Sequence, residues 1–290
     1  MMNYSEAAVA FPCENEQLVG IVSTPATASA CGVVIVVGGP QYRAGSHRQF
    51  VLLARTLAAQ GITTLRFDYR GMGDSSGALR DFTAIESDLR AAVDALQQIS
   101  PIVTRVFLWG LCDAASASLF YANSDQRICG LVMANPWART EAGEAKALLN
   151  HYYGSRIFDV SLWKKILSGQ FNYWGSVQSF WTIFRKAVLK IESSKANNPL
   201  PLREKMFDSW SRFRGDVLLF MSGEDMTARE FGDMVLASSP WQALLANRRV
   251  TKHDMPTADH TFSREAWRDE VATVTAKWII ARSNNQARIN

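Results

Sequence analysis

"FLWGLCDAAS", Phe107 to Ser116, decides how this chain is read. A short apolar run, "RVFLW", ends at Gly110, and a small-residue segment, "AASASLFYA", begins just beyond it. That order spells a strand, a tight turn and a helix, with Cys112 held in the turn. A cysteine without context is usually an inert core thiol. This one stands at a helix N-terminus, where the dipole favours an anion and lowers a thiol pKa. A sulfur nucleophile is one reading and a small buried thiol the other; the rest of the chain has to choose.

From Gly32 onward, β-branched runs alternate with amphipathic segments: "GVVIVVGG", "HRQFVLLARTLAAQG", "ITTLRFDYRG", "DFTAIESDLRAAVDALQQIS", "RVFLWG" and "GLVMANP". Ile85, Leu89, Val93 and Leu96 fall on one helical face, whereas "VVIVV" and "VLLFM" are continuously apolar, as strands covered on both sides are. The order predicts a doubly wound, mostly parallel α/β sheet. Before it, "EAAVAFP" and "QLVGIVSTP" read as an antiparallel hairpin extending one edge. The alternation lapses near Thr140 and resumes with "GDVLLFMSG", so the core is expected over 1–139 and 207–290, with an insert at 140–206.

The insert is dense in Trp, Tyr and Phe at roughly helical spacing. It reads as a helical lid over the carboxyl edge of the sheet, where ligands bind in open α/β folds. A helical excursion that only enlarges the core is a second reading. A membrane-surface helix built on Trp181, Phe184 and Leu189 with Arg185, Lys186 and Lys190 is a third.

At 290 residues, 48% apolar and 20% charged, the chain can bury a large core. Nothing at its start resembles a basic stretch followed by an apolar run, and no segment reaches the roughly 18 apolar residues of a membrane span. A cytoplasmic protein is expected, with membrane contact disfavoured. A net charge of +4 with interspersed signs offers no basic stripe for nucleic acid. The four cysteines, Cys13, Cys31, Cys112 and Cys129, lack metal-ligand spacing, so reduced thiols, no metal and no cofactor are expected.

A nucleophile needs a base, and the base an orienting acid. Of four histidines, His47 precedes the first helix, His151 lies in the insert and His253 ends the strand-like "RRVTKH". His260, in "MPTADHTFSREAW", occupies the loop between the last strand and the last helix, and is the candidate base. In "VLLFMSGEDMTAREF" a strand ends at Gly223 and is followed by Glu224 and Asp225; Asp225 is the candidate acid and Glu224 the runner-up. Tyr42 and Arg43 follow the first parallel strand and could face a substrate, Arg43 through a carboxylate or phosphate, although a surface arginine is the plainer reading. Asp68 and Arg70 read as braces of the "DYRGMGD" loop, and Ser116 and Ser118 lie inside the helix after the turn.

With these residues in place, the chain resembles the α/β-hydrolase superfamily over nearly its whole length. The resemblance rests on "DYRGMGDSSG" (68–77), "GLCDA" (110–114), "SGED" (222–225) and "ADHTFS" (258–263). More narrowly, "VVGGPQYRAGSHRQF", "FDYRGMGDSSG", "GLCDAAS" and "MTAREF" look like the exosortase A system-associated hydrolases, type 1. That resemblance implies a bacterial protein found with exopolysaccharide and protein-sorting genes. Two departures stand out. Ala114 replaces the second glycine of the Gly-x-Ser-x-Gly elbow. Gly38-Gly39-Pro40 replaces the His-Gly-x pattern, and proline has no N–H to give an oxyanion. The oxyanion donors are then expected to be the N–H groups of Asp113 and Gln41.

The expected function is hydrolysis of a small-molecule ester or thioester through Cys112, His260 and Asp225 and an acyl-thioenzyme. Acyl transfer with the same triad is one alternative. A non-catalytic homologue that binds a ligand or partner is the other.

Overall fold

The computed structural model describes residues 3–39, 41–138 and 201–286. Among them, eight strands form one sheet in the order β1-β2-β4-β3-β5-β6-β7-β8. The first two, β1 (Tyr4–Cys13) and β2 (Glu16–Pro25), make the expected hairpin, and β2 joins β4 (Thr63–Asp68) antiparallel. All later pairings are parallel, through β3 (Cys31–Val36), β5 (Arg105–Leu111), β6 (Ile128–Ala134), β7 (Asp216–Ser222) and β8 (Val250–Met255). β3 lies between β4 and β5, so the direction of strand addition reverses there, the point at which open α/β sheets form a crevice.

Strand alternation divides β5 between two layers. Phe107, Trp109 and Leu111 join a cluster with Leu53 and Leu57 of α1 (Gln49–Ala59) and with Trp278 and Ile279 of the last helix. Phe50 meets Trp109 edge-on at 5.6 Å, and Phe107 meets Trp278 at 5.8 Å. Each such aromatic buries enough surface to be worth about 1.5–3 kcal/mol. The other layer carries α2 (Glu86–Ile99), where Leu89, Val93 and Leu96 are buried, as their spacing predicts, and α3 (Asp113–Ala122).

Further along come α4 (Leu202–Arg212), α5 (Met226–Leu236), α6 (Ser239–Leu245) and α7 (Glu265–Gln286). The insert expected at 140–206 lies outside the described residues except for its end, where α4 already begins; the Trp181 to Lys190 segment and His151 lie outside them as well. No helix of the described residues is long and apolar enough to cross a membrane.

α3 runs unusually close to the strand it follows. A Cβ on Gly110 would sit 2.5 Å from the backbone carbon and oxygen of Ala114. The crowding is between two backbones, so neither can yield by a rotamer change. The glycine needed for close approach here is the one on the strand, Gly110.

Below α3, the short link to β6 is tied by charge. The Asp125 carboxylate accepts hydrogen bonds from the Arg127 guanidinium (2.6 and 2.8 Å), the Arg127 N–H (3.0 Å) and the Tyr121 hydroxyl (2.5 Å). Burial alone would raise its pKa, but Arg127 and Tyr121 outweigh it and hold the carboxyl at about 2.

Two outcomes follow for stability. Gly110→Ala forces strand and helix apart and should lower unfolding free energy by about 1–3 kcal/mol, measured by denaturant titration. The folded pKa of Asp125 lies below the unfolded value of about 3.9, so its stabilisation is present above pH 4 and disappears as pH falls toward 2. Melting curves at pH 5 and pH 2.5 should show a smaller acid-induced loss in Asp125→Asn than in the parent protein.

Candidate active site

Cys112 is the residue between β5 and α3, and its backbone has φ 63° and ψ −123°. A non-glycine residue there carries strain of order 1–3 kcal/mol, which persists only where the surroundings hold it. They do so on both sides. Cys112 N–H donates to the Ala134 carbonyl at the end of β6 (2.9 Å), and Cys112 C=O accepts from Ala115 N–H (3.1 Å) and Trp137 N–H (3.2 Å). The side chain is partly buried against the core at the carboxyl edge of the sheet. The two serines of α3 are committed elsewhere: Ser116 Oγ donates to Trp137 C=O and Ser118 Oγ to Ala114 C=O, both at 2.7 Å.

The candidate acid and base meet above the next two strands. Asp225 follows β7, and His260 follows β8; His260 Nδ1 lies 2.9 Å from Asp225 Oδ2. That nitrogen is buried, although its N–H is not aimed squarely at the oxygen. Asp225 is 6% exposed and His260 35%, so the carboxylate is inside and the ring reaches the surface. Asp225 also caps α5: Oδ1 accepts from Thr227 N–H at 3.2 Å and Oδ2 from Ala228 N–H at 3.0 Å. Capping and contact with His260 are two uses of one short side chain. Glu224, the runner-up, is exposed.

The loops carrying them are stitched together. Gly223 N–H donates to Met255 C=O and Glu224 N–H to Ala258 C=O. A Cβ on Gly223 would stand 2.0 Å from the Pro256 carbonyl oxygen. Glycine is the residue that lets the two loops touch.

Three residues that the sequence reading passed over tighten this region. Asn135 and Ser222, both buried, join the end of β6 to the end of β7 and to the His260 loop. Asp259 caps the turn around His260, accepting from Thr261 N–H, Ser263 N–H and the Ser263 hydroxyl. Burial would raise the Asp259 pKa, but Ser263 and Thr261, with the charge of His47, bring it below the usual range. The consecutive Ser263-Arg264-Glu265 after His260 hints at a helix start; nothing local in "NP" signals the role of Asn135.

The other sequence-derived candidates fall as follows. Arg43 is not available to a substrate anion. Its guanidinium is paired with Asp68 and with Asp74, the latter at 2.5 Å, and its N–H donates to Asp68 Oδ1. Asp68 is fully buried and also accepts from Asp74 N–H, so two carboxylates claim the arginine. Tyr42 is half-exposed, with its ring 5.8 Å from the Arg43 guanidinium carbon. Arg70 braces its loop through a buried pairing with Asp88. His253 pairs with Glu270 at 2.8 Å on the outer strand, away from Asp225.

For the oxyanion donors, Pro40 lies outside the described residues. Gln41 Oε1 lies 3.4 Å from Ser46 N–H and 3.5 Å from Gln49 Nε2. Asp113 bears on the matter through its side chain. Its carboxylate turns toward β3, accepting from Gly39 N–H and Ala114 N–H, both at 2.9 Å. Burial pushes this carboxyl up, and the N–H groups of Gly39, Ala114 and Asp113 itself only partly offset it. The N–H of Gly39, in the loop beside the elbow, is thus already bound to an internal acceptor. Among the described residues no cluster of His, Cys, Asp and Glu is arranged to hold a metal.

Comparison with known proteins agrees with this architecture. Sequence comparison with curated proteins finds no match. Among solved structures, an esterase of Pyrococcus furiosus is similar at 16% identity, covering 97% of this chain and 92% of its own, with a TM-score of 0.68. A dienelactone hydrolase of Anabaena variabilis matches at 14% identity over 96% and 98%, TM-score 0.62. A proline iminopeptidase of Mycobacterium smegmatis matches at 16% over 97% and 100%, TM-score 0.61. Those identities speak to the fold. The sequence model of the alpha/beta hydrolase family matches residues 33–274, and the chain belongs to that family.

Proposed function

We propose that this protein hydrolyses a small-molecule ester or thioester with Cys112 as nucleophile, His260 as base and Asp225 as the acid that orients it. The observation that carries the reading is the 2.9 Å contact between His260 Nδ1 and Asp225 Oδ2 on the same sheet edge as the strained turn at Cys112. In the reaction His260 takes the proton of Sγ, and the sulfur adds to the substrate carbonyl carbon. The tetrahedral oxyanion collapses, the alkoxide or thiolate leaves with the proton from His260, and a thioester to Cys112 remains. Water, deprotonated by His260, then attacks that thioester and releases the acid and the thiol. The N-terminus of α3 favours the thiolate. Backbone N–H groups of Asp113 and Gln41 would serve the oxyanion.

The esterase among the structural relatives supports this substrate class. The four motifs shared with exosortase A system-associated hydrolases support a place in that type 1 group, in a bacterial cytoplasm. An acyltransferase would share the first half-reaction and differ in the acceptor, so product analysis with added alcohols or amines separates the two. A non-catalytic ligand-binding role has one observation in its favour, the Asp113 carboxylate bound to Gly39 N–H beside the elbow.

The deciding measurement is the rate of Cys112 alkylation by iodoacetamide against pH, with p-nitrophenyl acetate hydrolysis alongside. The thiol should titrate at least about one unit below the ordinary 8.5, and should return toward it in His260→Ala. His260→Ala should slow hydrolysis by about 10²–10⁴, with a smaller loss in Asp225→Asn. An ordinary or unreactive thiol in all three proteins, with no hydrolysis, would overturn the catalytic reading in favour of ligand binding.

A further inference from the structure

Asn135 directly follows β6 and is fully buried, at a backbone φ of 46° that asparagine tolerates better than most residues. Its side chain makes three hydrogen bonds. Oδ1 accepts from Ser222 N–H at 2.9 Å; Nδ2 donates to Ser222 Oγ at 2.9 Å and to the His260 carbonyl at 3.1 Å. Ser222 Oγ in turn donates to Asp259 C=O at 3.0 Å. The amide has only one compatible orientation, since a backbone N–H must face its oxygen and a backbone carbonyl its nitrogen. Its own N–H donates to Phe220 C=O at 3.0 Å.

The same turn holds the other side of the site. Ala134, just before Asn135, accepts the Cys112 N–H, and Trp137, two residues after, donates to the Cys112 carbonyl. One four-residue stretch, 134–137, is therefore bonded to the backbone of the cysteine, to the last residue of the strand before Asp225 and to the backbone of His260.

We infer that Asn135 is a positioning residue that fixes the His260 loop relative to Cys112 through its bonds to Ser222 and to the His260 carbonyl. It touches no reacting atom. The inference rests on the Cys112, His260 and Asp225 reading proposed above. The chemistry explains why an amide is used. The site needs one acceptor and two donors on one short side chain, without charge, in a dry interior. Aspartate offers the acceptor and no donor, and a hydrophobic residue leaves the Ser222 N–H and the His260 carbonyl unpaired.

The test compares the parent protein with Asn135→Gly, Asn135→Asp and Ser222→Ala, each checked for folding by circular dichroism. Asn135→Gly keeps the backbone conformation and removes the amide. Ser222→Ala leaves Asn135 in place and removes only the Ser222 Oγ bonds to Asn135 Nδ2 and to the Asp259 carbonyl, and it is read where the Asn135 variants do not fold. A shift of about 1 Å in a reacting group can cost about 10²-fold in rate. The kcat for p-nitrophenyl acetate should therefore fall about 10- to 100-fold in both Asn135 variants, and less in Ser222→Ala, with KM changed less than about twofold. The iodoacetamide pH profile of Cys112 should move toward that of His260→Ala. In ¹⁵N-histidine spectra the His260 ring signals should move, and those of His253 should stay. A residue that only stabilised the fold would lower melting temperature and leave the thiol profile and the His260 signals as in the parent. That result in folded variants overturns the inference. A parent protein whose Cys112 titration ignores His260 overturns the proposed function instead. The histidine spectra then still decide, by moving or not, whether Asn135 holds His260.

Discussion

The approach of α3 to β5 is the constraint on which the site depends. At Gly110 the strand backbone and the helix backbone at Ala114 leave no room for a methyl group. A chain that turns from strand to helix within so little space must place one residue in an unfavourable conformation, and that residue is Cys112. The strain is borne because the peptide is pinned by Ala134 on one side and Ala115 and Trp137 on the other. Ala134 and Trp137 are in reach because β6 lies parallel beside β5. A backbone pinned this way projects its thiol from a fixed point, which is what a nucleophile requires.

Around that turn, buried polar groups tie together the loops at the strand ends. Asp68 gathers Arg43 and the Asp74 N–H, Asp88 fixes Arg70, and Asn135 with Ser222 ties β6, β7 and the His260 loop. Polar groups in a dry interior are costly when half satisfied, and these are satisfied several times over. Asp225 follows the same logic. Its short side chain reaches both Thr227 N–H and Ala228 N–H, a cap worth about 1 kcal/mol, and still faces His260. Glutamate, one carbon longer, suits that cap less well, and Glu224 points outward.

Much of the fold was legible along the chain because its cues are local. Continuous apolar runs such as "VVIVV" mark strands covered on both faces, and the spacing of Leu89, Val93 and Leu96 marks one face of a helix. The placement of His260 and Asp225 at one edge was legible for a related reason: each follows a recognisable strand, and parallel strands deliver their ends to one edge. Arg43 shows where this stops. Its position after β3 left a surface arginine or a substrate ligand open, but Asp68, 25 residues on, takes its N–H and its guanidinium. No local pattern announces a partner on the neighbouring strand.

The sequence by itself determined the order of elements, the strand-turn-helix at Cys112, and which loops carry the candidate acid and base, since these follow from hydrophobic period and turn chemistry over a few residues. Only the tertiary structure decided between Asp225 and Glu224 as the partner of His260, brought the Ala114 backbone against Gly110, and turned the Asp113 carboxylate onto Gly39. It alone brought Asn135 to a carbonyl 125 residues away. Each of these depends on distances of about 3 Å between segments far apart in the chain. Hydrogen bonds and steric contacts lose their strength over a few tenths of an ångström, so such choices are made by packing and leave little trace in local residue order.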